Sequence, residues 1–137
     1  MDLLEEYNEK YKRDPKAFAV MLEERTALFA VRIIRLSAKL PKDTEGKVIK
    51  NQLTRAGTSI GANYREANRA RSRADFRSKI KICESESSET VYWLEIIRLL
   101  KWIKEEEIME EYQEALQLLA LFTRISKTTH DNMKGKD

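Results

Sequence analysis

Apolar residues return every three or four positions through most of the chain, the beat of helices that bury one face. Leu22, Phe29, Ile33, Leu36 and Leu40 set the first such stripe. It opens at Asp14-Pro15, an N-cap followed by a proline at the first helical position, where the missing N–H costs nothing. It closes before Pro41, which disfavours helical geometry at the residue preceding it. Asp43 then caps a second helix striped by Ile49, Leu53, Ala56, Ile60, Tyr64 and Ala67. Ser72-Arg73-Ala74-Asp75 has the form of a capping box with Asp in place of Glu, and predicts a third helix from near Arg73 to about Trp102. Its seam is Phe76, Ile80, Cys83, Ser87, Val91, Leu94, Ile97 and Lys101. After Lys104 a fourth helix carries Ile108, Tyr112, Ala115, Leu119, Phe122 and Ser126, with Leu116, Leu118 and Ile125 alongside.

Helices of roughly 22 to 30 residues joined by short turns must run antiparallel to their neighbours. The expected fold class is therefore all-α, an up-down-up-down four-helix bundle over residues 15–128. Residues 1–14 read as a charged arm, frayed helix or mobile, and residues 129–137 as a C-terminal tail. Composition agrees: four Gly and two Pro in 137 residues are too few for the turns of a sheet protein. The length allows one domain.

Two interruptions of the stripes bear on packing. Gly57 and Gly61 stand at i and i+4 inside the second helix, so both fall on one face, and each costs about 1 kcal/mol of helix stability relative to Ala. Close approach of another helix is the reading that offsets this cost; a merely tolerated pair is the alternative. Glu84–Thr90 is seven polar residues in a row, and its Ser87 and Ser88 mark a second candidate for tight helix or subunit contact.

Catalytic and metal constellations are sparse. The single histidine, His130, falls in the expected tail, which leaves no zinc motif, no di-iron motif and no nucleophile-histidine pair. Cys83, the only cysteine, lies on an apolar stripe and reads as a small hydrophobe; alone it excludes an internal disulfide and suits a reducing compartment. No glycine-rich phosphate loop is present. Catalytic residues, metal ligands and cofactors are accordingly expected to be none, and an enzyme is the poorest reading. The N-terminus has no apolar export core and no segment approaches 18 uninterrupted apolar residues, so cytoplasm is the default and no membrane partner is expected.

The net charge is only +3, but it is unevenly spread. Arg65, Arg69, Arg71, Arg73, Arg77, Lys79 and Lys81 share the stretch 65–81 with two acids, Glu66 and Asp75, a local net charge of +5. Six glutamates and no cation occupy 105–114, where they favour the positive end of a helix dipole. Arginine grips two phosphate oxygens at once and stacks on exposed bases, which makes the basic stretch a candidate nucleic-acid surface. A solvated face, or one paired with glutamates of a neighbouring helix or subunit, is the commoner fate of such runs. Residues alone leave both readings open.

The segment Gln52–Leu100 resembles the signature region of the bacterial 23S rRNA intervening-sequence family of four-helix-bundle proteins. The matching motifs are Leu53-x-Arg55-Ala56-Gly57-x-Ser59-Ile60-Gly61-Ala62-Asn63, Glu66-Ala67, Ser72-x-x-Asp75-Phe76 and Glu89-Thr90-x-Tyr92-Trp93-Leu94. Phe29–Ile34 and Leu40-Pro41 extend the resemblance, which covers roughly residues 28–128. Gly61 stands where many members have Pro, Tyr64–Ala67 replaces the common Ile-Ala-Glu-Gly, and Ser87–Thr90 replaces an Ala-Arg-Glu-Thr form. The resemblance implies a ring-like homo-oligomer, a pentamer, with a basic surface. It also implies kinship with the accessory variability protein of diversity-generating retroelements, which binds a reverse transcriptase and nucleic acid. The expected partners are therefore further copies of the chain, RNA or DNA, and, as the rival reading, a protein for which the bundle is a scaffold.

Overall fold

A computed structural model describes residues 2–134. Among these the protein is all-α, with five helices: α1 (Leu3–Lys10), α2 (Pro15–Ser37), α3 (Thr44–Asn68), α4 (Arg73–Leu100) and α5 (Glu105–Lys134). The last four coincide with the four periodic stripes. Asp14, Asp43 and Ser72 each accept a hydrogen bond from the backbone N–H three residues on, at 3.0, 2.8 and 3.0 Å, so each helix starts where an acceptor satisfies its free donors. α4 stops at Lys101, the one non-glycine residue with positive φ (57°) among those described.

Helix extends beyond the four stripes at both ends of the chain. Residues 3–10, placed in an arm, form α1, which is started by a reciprocal capping box between Asp2 and Glu5. Leu3 and Tyr7 of α1 are buried, and the Leu3 N–H donates to the Gln117 side chain at 3.0 Å. The region from 129, placed in a tail, continues α5 as far as Lys134, where Thr129 donates back to the Ile125 carbonyl. Each end supplies the surface that the other needs: α1 lies against α5. Residues 135–137 of the expected tail lie outside the described residues.

The core runs between α2, α3, α4 and α5, with Phe29, Phe122, Leu22, Leu53, Ile60, Ile80 and Leu94 among its fully buried side chains. α3 packs closely on both α2 and α4, and α4 on α5. The backbones of α2 and α4 do not approach closely, so these two helices lie across the core from one another. Gly57 and Gly61 set the distance between α2 and α3: a Cβ on Gly57 would stand 2.8 Å from Ile33 Cγ2, and one on Gly61 2.9 Å from Thr26 Oγ1. Ser87 is buried and donates to the Cys83 carbonyl, whereas Ser88, paired with it in the sequence reading, is exposed.

α5 meets α2 more loosely, through ion pairs. Arg25 grips Glu114 with two bonds of 2.8 and 2.7 Å, Arg32 reaches Glu111 at 3.0 Å, and Lys39 pairs with Glu107. The acidic pole of the sequence is thus a seam holding two antiparallel helices.

One apolar stripe is left uncovered. Val20, Leu28, Val31 and Ile34 lie on the outer side of α2, opposite its buried Leu22, Thr26, Phe29 and Ile33, and Leu28 is 64% exposed. α4 shows a similar outer set in Ile82, Tyr92 and Leu99. Among the described residues no helix is long and apolar enough to cross a membrane.

Candidate nucleic-acid interface

The seven cations of the basic stretch gather at the α3–α4 junction because the connection is short. Arg65 sits in the last turn of α3, and Arg69 caps it with its N–H on the Glu66 carbonyl. Arg71 lies in the link, and Arg73, Arg77 and Lys81 follow one another on α4 at four-residue spacing, with Lys79 beside them. Helical periodicity therefore converts a linear run into a patch.

Their partners decide between a paired face and an open one. Arg65 approaches Glu23 at 3.7 Å, and Lys81 pairs with Glu84, three residues on, at 3.2 Å. Arg69, Arg71, Arg73, Arg77 and Lys79 have no carboxylate within ion-pair distance among the described residues, and Arg69, Arg71 and Arg73 are exposed. Arg77 is half-buried, and its Nε is shielded from solvent with no hydrogen-bond partner. Arg25, Arg32, Lys39, Arg55 and Arg98, by contrast, each reach a carboxylate of another helix. Arg73 and Arg77 moreover stand in the first turns of α4, where the helix dipole disfavours cations. Their charges therefore gain nothing from the helix dipole or from a counter-charge among the described residues.

Folding adds cations that the sequence run does not contain. A cleft of about 250 Å³ brings Lys16 and Tyr11 against Asn68 and Phe76, the neighbours of Arg69 and Arg77. A second cleft of about 510 Å³, between α1 and α5, is lined by Tyr11, Lys12 and Arg124 with Tyr7 and Thr128. Neither Lys12, Lys16 nor Arg124 has an ion-pair partner among the described residues. The signal for them was topological: antiparallel alternation carries the start of α2 and the end of α5 to the same end of the molecule as the α3–α4 turn. Aromatic rings lie between them, with Tyr7 and Tyr11 at 4.8 Å between centroids and Phe18 edge-on to both.

Other groups with chemical potential are occupied structurally. Cys83 is buried and donates to the Ile60 carbonyl, and burial pushes its thiol up to about 12, so it stays protonated. Burial likewise raises the Tyr7 phenol, against smaller opposing effects of Thr128 and Arg124. Among the described residues no three His, Cys, Asp or Glu side chains converge as a metal site would require.

A family model described as 23S rRNA-intervening sequence protein matches residues 21–124, the span from early α2 to late α5. A solved structure from Bacteroides thetaiotaomicron VPI-5482, described as a protein with unknown function from the S23 ribosomal protein family, is similar at 37% identity and a TM-score of 0.72. The alignment covers 80% of this chain and 97% of that one. No curated protein matches.

Proposed function

Because the chain belongs to the 23S rRNA-intervening sequence protein family, we propose that it is a non-enzymatic homo-oligomer that binds the backbone of RNA or DNA without reading base identity. The observation that carries this is the open patch: five cations of one helix junction lack counter-charges among the described residues, whereas Arg25, Arg32, Arg55 and Arg98 are each paired with a glutamate. Phosphates supply the missing charge, and contacts to phosphate position a protein without conferring sequence preference.

The outer stripes of α2 and α4 support the oligomeric part of the reading. They lie on opposite sides of a four-helix bundle, so that α2 of one subunit meets α4 of the next in a head-to-tail contact, the kind that closes into rings. A pentamer of this kind repeats the basic patch five times and gains avidity from the repetition. The same stripe on α2 favours a second reading, in which it docks a partner enzyme such as a reverse transcriptase and the bundle serves as a scaffold.

Binding of labelled RNA and DNA, measured across a salt series, tests the first reading. Wild-type protein should bind with log K falling linearly against log salt. Arg69→Glu, Arg73→Glu and Arg77→Glu together should abolish binding while the helical circular dichroism and the oligomer mass persist. Undiminished binding by that variant would sink the patch assignment. Recovery of one stoichiometric protein after nuclease treatment, with no nucleic acid bound at low salt, would establish the scaffold instead.

A further inference from the structure

The cleft between α1 and α5 differs from the α3–α4 patch in kind. It pairs two cations, Lys12 and Arg124, with an aromatic ring, and its lining of Tyr7, Tyr11, Thr128 and Asn132 contains no carboxylate. Tyr11 is 41% exposed, and its ring rests on Tyr7 at a 31° tilt and is held edge-on by Phe18. It is a supported platform with one side open. Tyr11 also lines the neighbouring cleft, together with Lys16, Asn68 and Phe76, so one ring is shared by the cleft that holds Lys16 and the cleft that holds Lys12 and Arg124. At about 510 Å³ the α1–α5 cleft falls within the range of small-ligand sites, roughly 300–1,000 Å³.

We propose that this end of the molecule takes unpaired nucleotides in preference to duplex, with a base stacked on Tyr11 and the flanking phosphates held by Lys12 and Arg124. The proposal rests on the nucleic-acid reading given above. A flat patch of arginines binds single and double strands alike through their phosphates. An open aromatic ring discriminates, because only an unpaired base can leave its neighbours and lie on it, and every base has a π-face to offer. Both charge and shape fit this occupant: Lys12 and Arg124 line the same cleft as the ring, no carboxylate is among the described residues that line it, and the ring is braced by Tyr7 and Phe18.

The test compares a labelled 15-nucleotide uridine strand with a 15-base-pair RNA duplex, using the full chain. Wild type should prefer the single strand. Tyr11→Leu keeps the apolar contact with Phe18 but removes the stacking surface, and should weaken single-strand binding about tenfold while leaving duplex binding and the salt slope unchanged. Tyr11→Trp should keep the preference. A strand carrying 2-aminopurine should lose fluorescence on binding wild type and the Trp variant but not the Leu variant. Unaltered single-strand binding by Tyr11→Leu, or an equal loss for strand and duplex, would overturn the proposal and leave backbone binding standing. Failure of wild type to bind either probe would remove the backbone reading and this one together.

Discussion

At Gly61 a single missing carbon sets the spacing of two helices. An added Cβ would lie 2.9 Å from Thr26 Oγ1 and 3.1 Å from Thr26 Cβ. The hydroxyl cannot swing aside freely, because it already donates to the Leu22 carbonyl at 2.8 Å in a buried setting. Over-packing of this kind costs about 1–3 kcal/mol, and the gain in helix propensity returns about 1 kcal/mol of it. Gly61→Ala should therefore lower stability by about 1–2 kcal/mol in urea melts, and adding Thr26→Ala should recover more than the two single changes predict by addition. A Gly61→Ala protein as stable as wild type would contradict the close approach. Gly46 shows a harder limit, since its Cβ would fall 1.9 Å from the Pro41 carbonyl oxygen, within the turn that launches α3.

Between elements, the α2–α5 seam carries a carboxyl in an uncomfortable place. Glu111 is 7% exposed; its Oε1 accepts from Arg32, while its Oε2 is buried without a partner. Burial is the largest influence and raises its pKa above the ordinary 4.5, and Arg32 pulls it back only in part. A carboxyl that holds its proton more tightly when folded adds stability at low pH, and loses it as pH rises from the unfolded value through the raised native one. The stability of Glu111→Gln relative to wild type should thus increase over that interval and level off above it, in denaturant melts stepped from about pH 4 to about pH 7. A flat difference would mean that Arg32 compensates the burial fully. The seam also marks how far the sequence could be read. The starts of α2, α3 and α4 were legible from Asp14, Asp43 and Ser72, because caps and apolar periodicity are local signals. α1 was not, because eight residues are too few to establish a beat and its worth lies in burying Leu3 and Tyr7 on a helix more than a hundred residues away. Likewise the basic run 65–81 was visible, but Lys12, Lys16 and Arg124 join it only through the fold.

For the molecule as a whole, the outward stripe of α2 is the feature that a lone subunit leaves unsatisfied. In the assembly proposed above, Val31→Glu with Ile34→Glu places two charges in the middle of this stripe without touching the core, and should reduce the mass in light scattering to the 16.1 kDa of one chain while helicity is retained. An unchanged mass would exclude this stripe from the subunit contact. The glycine pair of α3 then acquires a role beyond its own helix. With Ile33 and Thr26 seated against Gly57 and Gly61, the close contact of α2 with α3 fixes the direction in which its outer stripe faces. In a closed assembly any angular error at one joint is repeated at every joint, and a few degrees of play is the difference between a circle that meets itself and a spiral that does not. In the ring proposed above, two absent methyl groups would thereby act as a protractor for the assembly.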